Sequence, residues 1–81
     1  PIAEDSSSSV IIYPNPSNNK VFVYLSEGKI DKLELYTILG KKIKESTSQT
    51  NFLVVDDLSS GLYIIKVYQQ NFYTSHKLII Q

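Results

Sequence analysis

The stretch "GLYIIKVYQQNFYTSHKLIIQ", residues 61–81, decides the fold. Tyr63, Ile65 and Val67 alternate with Leu62, Ile64, Lys66 and Tyr68. A period of two marks an extended chain, whose side chains point to opposite faces in turn. The bend around "QQN" (69–71) returns the chain into a second run, 72–80, so the segment reads as a hairpin of two strands. Tyr63, Ile65 and Val67 form the face expected to enter a core. The opposite face, with Leu62, Ile64 and Tyr68 around Lys66, is partly apolar too. Such a strand lies at the centre of a sandwich or covers a contact surface.

The same reading extends toward the amino terminus. "VIIY" (10–13) runs into Pro14 and Pro16, which fix φ and cannot donate to a ladder, so the strand ends there or lies at an edge. Asn18 and Asn19 supply turn chemistry. "KVFVYL" (20–25) puts Val21, Val23 and Leu25 on one face, with Phe22 and Tyr24 on the other, and "SEGK" turns at Gly28. In "IDKLELYTILG" (30–40), Leu33 and Leu35 alternate with Lys32 and Glu34. A strand is favoured over a helix there, because Tyr36, Thr37 and Ile38 prefer extended backbone. Gly40 before Lys41 predicts a positive-φ turn back into "KKIKEST", and Gly61 a second such position. "NFLVV" (51–55) and the polar bend "DDLSS" complete the pattern.

About seven short strands, at turn spacings of about ten residues, predict an all-β domain. The expected architecture is a small antiparallel β-sandwich with immunoglobulin-like or Greek-key topology. Lysines inside the strands (Lys20, Lys32, Lys42, Lys44, Lys66, Lys77) are expected to face solvent and discourage edge-to-edge association.

Composition bounds the function. Eighty-one residues make one domain near the lower end of independent folding, and a hydrophobic content of 42% is that of a globular chain. Eight acidic residues balance eight basic ones, and every basic residue is Lys. A neutral chain without Arg has neither the field nor the bidentate fork that nucleic acid recognition uses. Without Cys there is no disulfide or thiolate metal site. The apolar runs are far shorter than the about 20 residues that span a bilayer, so no membrane-spanning segment is expected. "PIAEDSSSS" (1–9) reads as a serine-rich linker, expected to tether the folded domain, 10–81, to an upstream domain.

Catalytic chemistry is hard to assemble from these residues. His76 is the only histidine, and a solvent-facing sheet position is expected for it. Asp56 and Asp57 could join Asn15 around calcium, but their spacing fits no cation loop, and a turn-forming role is expected. The serines lack a G-x-S-x-G context, and the three glycines form no phosphate cradle. No enzyme activity and no cofactor are expected. The six Tyr and three Phe could stack on sugars, so a carbohydrate-binding or adhesive β-sandwich module of a secreted enzyme is the alternative.

Three pieces in order, "YPNP", "LELYTILGKKI", and "LSSGLYIIKV" followed by "KLII", resemble the type A C-terminal sorting domain of the type IX (Por) secretion system of Bacteroidetes. The resemblance covers roughly residues 10–81. Tyr13, Pro14, Asn15 and Pro16 match the opening motif. Leu35, Tyr36, Leu39, Gly40 and Lys41 match the central one, with Thr37 where Asp or Asn is commoner. Leu58, Ser59, Gly61, Leu62, Tyr63, Ile65, Lys66 and Val67 match the third, and Lys77, Leu78 and Ile79 the closing strand. The resemblance implies a C-terminal signal that directs a covalently attached upstream cargo through the periplasm and across the outer membrane. It implies the type IX machinery and a sortase-like surface peptidase as partners, the latter cleaving the domain off. The cell surface or medium is the implied destination.

Overall fold

The computed structural model describes residues 3–4, 10–47, 50–70 and 72–81. They form eight strands: β1 (Ala3–Glu4), β2 (Val10–Tyr13), β3 (Lys20–Leu25), β4 (Lys32–Thr37), β5 (Lys42–Ser46), β6 (Phe52–Val54), β7 (Gly61–Gln69) and β8 (Phe72–Ile80). The seven expected strands are β2 to β8. The larger sheet has the order β1-β8-β7-β4-β5 and the smaller the order β2-β3-β6. Hairpins β2–β3, β4–β5 and β7–β8 pair neighbours in sequence, whereas β6 returns to β3 and β7 returns to β4. Those two long returns make the Greek-key, immunoglobulin-like sandwich that the strand pattern predicts.

Alternation decides which residues meet between the layers. Val21 and Val23 of β3, with Leu53 and Val55, face Leu33 and Leu35 of β4, Ile65 and Val67 of β7, and Leu78 and Ile80 of β8, all buried. Tyr63, Ile43, Leu25 and Leu58 pack around this cluster. Each fully buried aliphatic side chain contributes about 1.5–3 kcal/mol. That is large against the roughly 4–12 kcal/mol expected for a chain of this length.

One expectation needs correction. His76 does not face solvent: it lies opposite Ile65, on the same face of β8 as Leu78, half-buried and hydrogen-bonded to Thr74 at 2.7 Å. Its parity with Leu78 and Ile80 already placed it on the core side. The linker reading of 1–9 falls largely outside the described residues, but Ala3 and Glu4 lie parallel to Phe72 and Tyr73. An open sheet edge offers unpaired N–H and C=O groups to any extended backbone, and these two residues take them.

The fold also defines two poles. The β4–β5 turn, the β6–β7 turn, the 14–19 loop and the end of β8 lie together, because Gly61 pairs with Ile80 and Ser17 bridges to Ile80. At the far pole β1 pairs with the start of β8, and Val10 pairs with Leu25.

Candidate functional site

Pro14 and Pro16 deprive the segment after β2 of ladder donors, and the side chain of Asn15 replaces them. Its Nδ2 donates to Lys77 O at 2.9 Å, and its Oδ1 accepts from Ile79 N at 2.9 Å. One amide thus reproduces the two bonds that a parallel strand residue would make opposite Leu78. Two residues on, Ser17 N donates to Ile79 O at 2.8 Å and Ser17 O accepts from Gln81 N at 2.9 Å. Ser17 is buried, and its hydroxyl donates to Lys20 O at 2.8 Å. The opening motif therefore clasps the edge of the closing strand. An aspartate at 15 could not do this, since it has no N–H for Lys77 O. Tyr13 stays on the outside, 46% exposed, stacked on Phe22 with ring centroids 5.6 Å apart.

The central motif forms the β4–β5 turn. Gly40 N donates to Thr37 O at 2.9 Å, Thr37 N to Lys41 O at 2.9 Å, and Lys41 N to the Thr37 hydroxyl at 3.2 Å. Thr37 supplies a side-chain oxygen to the turn, as Asp or Asn would. Gly40 has φ +94, a left-handed conformation that side chains other than glycine's rarely adopt. Gly61 has φ +156, also a conformation that L side chains rarely adopt. At the tip Leu39 is 93% exposed and Ile38 62%, an unusual placement for residues of this size. In the third motif, the Tyr63 hydroxyl donates to Ser59 O at 2.7 Å and fastens the β6–β7 turn, while Lys44 pairs with Asp57 at 2.9 Å on its other side.

The remaining motif residues divide in two. Leu35, Ile65, Val67 and Leu78 are fully buried and belong to the core. Tyr36 and Lys66 lie mid-sheet on the outer face, with Lys66 Nζ 4.8 Å from the Tyr36 ring and 5.1 Å from that of Tyr73. Beside them is a residue outside the motif set, Glu34, only 4% exposed. It accepts from the Tyr36 hydroxyl at 2.7 Å and pairs with Lys32 and Lys42, each at 3.3 Å. Burial alone would push its carboxyl up. Hydrogen bonds from Tyr36, Tyr68, Lys32 and Lys42 outweigh burial and hold its pKa at about 2. Burial, then the bond to Glu34, pushes the Tyr68 phenol well above its usual range. A strand pattern of Lys32, Glu34 and Tyr36 at intervals of two contained this cluster, because such residues share a face.

Leu62 and Ile79 are cross-strand partners, 41% and 43% exposed, and Thr37 lies opposite Tyr63, so the tip of the β4–β5 turn stands beside Leu62. One pole thus gathers Asn15, Leu39, Gly40, Lys41, Gly61, Leu62, Lys77 and Ile79 from all four motif segments. The described residues contain no group of three or more His, Cys, Asp or Glu able to hold a metal ion.

Residues 11–81 match the family described as the secretion system C-terminal sorting domain. The chain belongs to that family. The sorting domain is the C-terminal secretion signal of the type IX system of Bacteroidetes, and export to the cell surface or the surroundings is the role it carries. Among solved structures, the sorting domain is similar to part of PorZ from Porphyromonas gingivalis, described as an essential bacterial surface component of the type IX secretion system. The identity is 16% and the TM-score 0.67, over 90% of this chain and 11% of PorZ. It also resembles the sulfur carrier protein SoxY from Chlorobium limicola f thiosulfatophilum, 11% identical with TM-score 0.51, over 100% of this chain and 83% of that one. At these identities both likenesses concern the fold. The sorting domain spans about a tenth of PorZ. No curated protein matches the sorting domain.

Proposed function

We propose that this sorting domain is a passive handle whose cargo is attached upstream and leaves from the pole opposite the motifs. The observation that carries the reading is the arrangement of the chain: the motif segments meet at one pole, while β1 lies at the other, beside the start of β8. The cargo-bearing precursor passes through the periplasm with the sorting domain folded, and the motif pole faces the type IX machinery. At the cell surface a sortase-like peptidase cuts within or upstream of residues 1–9, which lie largely outside the described residues, and the cargo is anchored or released. Cleavage requires extended, accessible backbone, and the serine-rich composition of residues 1–9 suits that requirement. In these steps the domain is the substrate and has no catalytic part.

A transplant tests the reading. Residues 1–81, fused behind a signal peptide and a fluorescent protein that folds in the periplasm, are expressed in a bacterium with a type IX system. Reporter at the surface or in the medium, lost when the machinery is deleted, is the expected outcome. Reporter trapped in the periplasm, while native substrates are exported, would overturn it. Loss of the tether sequence is expected to leave an uncut precursor on the surface.

A further inference from the structure

We infer that the motif pole docks a protein partner that offers an apolar pocket edged with carboxylates. This rests on the sorting-signal reading and adds to it the surface and the chemistry of the partner. The apolar part is Leu39 and Ile38 at the β4–β5 tip, with Leu62 and Ile79 beside them, exposed by 93%, 62%, 41% and 43%. Turn tips ordinarily carry polar residues, and nothing in the turn's own hydrogen bonding calls for leucine at 39.

Charge indicates what the partner carries. Of the eight lysines, five are engaged: Lys20 lies over Phe52, Lys32 pairs with Glu34, Lys42 with Glu34 and Glu45, Lys44 with Asp57, and Lys66 lies between Tyr36 and Tyr73. Among the described residues Lys29, Lys41 and Lys77 have neither an ion pair nor a ring contact. Lys29 belongs to the far pole. Lys41 follows the exposed tip, and Lys77 shares a face of β8 with Ile79, so both remaining lysines belong to the motif pole. Apolar centres ringed by charge are the usual form of a specific interface, and the complementary rim is acidic.

Two other occupants fit less well. In a two-fold contact between copies the patch would face itself and bring lysine against lysine. A lipid surface needs a cluster of basic residues to hold a protein, and two lysines on a neutral chain give weak retention.

The fluorescent fusion provides the test, with secreted fraction as readout and thermal unfolding of each purified domain as the control for folding. Leu39→Asp combined with Leu62→Gln is expected to cut the secreted fraction about tenfold or more, at an unchanged melting temperature. Ile11→Asp with Tyr24→Gln, on the outer face of the smaller sheet and each 54% exposed in the native chain, is expected to leave secretion within about twofold. Lys41→Glu with Lys77→Glu is expected to cost more than the same pair changed to Gln. Full secretion of the folded Leu39/Leu62 variant beside a secreted parent would overturn the docking surface and leave the sorting role standing. A parent that is not secreted would overturn both. Equal effects of Glu and Gln would overturn the acidic rim. Sedimentation showing dimers that Leu39→Asp abolishes, or flotation with phosphatidylglycerol vesicles that it abolishes, would assign the patch to a second copy or to lipid and overturn the proposal.

Discussion

The outer face of the larger sheet behaves differently at its middle and at its motif pole. In the middle, polar groups answer one another: Glu34 holds Lys32, Lys42 and Tyr36, and Lys66 lies between two tyrosine rings. At the pole, one row further along the same strands, Leu62 and Ile79 stay open and Lys77 has no ion partner among the described residues. The middle of the sheet thus supports the fold, and the pole is left for another molecule. A sequence motif that spans both regions mixes two requirements, and only part of it is an address.

The largest expected effect lies beneath the middle. Leu35→Ala should destabilise the domain by about 2–5 kcal/mol through the cavity it leaves, measured by urea unfolding. A loss below about 1 kcal/mol would mean that the core does not depend on this motif residue.

Glu34→Gln sharpens the comparison on the outer face. The folded carboxyl titrates at about 2, against an ordinary value of 4.5, so its contribution is complete above pH 4.5 and is lost as pH falls toward 2. The full shift corresponds to something on the order of 3 kcal/mol at neutral pH. The gap in unfolding free energy between parent and Gln variant should close between pH 4.5 and 2, and a gap independent of pH would remove the electrostatic account. Asn15→Asp should cost about 1–2 kcal/mol and speed hydrogen exchange at the Ile79 amide, because one donor is lost and a carboxylate faces a carbonyl. Smaller still, Gly40→Ala should cost about 1 kcal/mol, from placing a Cβ at φ +94 in otherwise open space. A stabilised Ala variant would show that the turn relaxes to another conformation.

Much of this fold is written in local pattern. Alternation located β2 to β8, put Val21 and Val23 on one face and assigned Ile65 and Val67 to the core, and turn chemistry located Gly28, Gly40 and Gly61, all at positive φ. Alternation tells which residues share a face, but not which strands are neighbours or which face is inward. His76 illustrates the second limit: its parity groups it with Leu78, and only the packing of the layers makes that face inward. The clasp was hidden for the first reason: Asn15 and Ile79 are 64 residues apart, and nothing near either one names the other. Burial of the Glu34 carboxylate depends on the lysines and tyrosines that its own strand and two others bring over it, which alternation along β4 does not reveal.

The clasp between Asn15 and β8 also has a consequence in time. Contacts between distant parts of a chain form late, because the intervening loop must first be closed, and β topologies with many such contacts fold slowly. Here residues 15–17 meet residues 77–81 across nearly the whole described chain, beside the long-range pairings of β3 with β6 and of β4 with β7. The motif pole is built from such long-range contacts. The shape of the pole thus depends on a completed fold, and an unfolded chain carries the same letters without that shape.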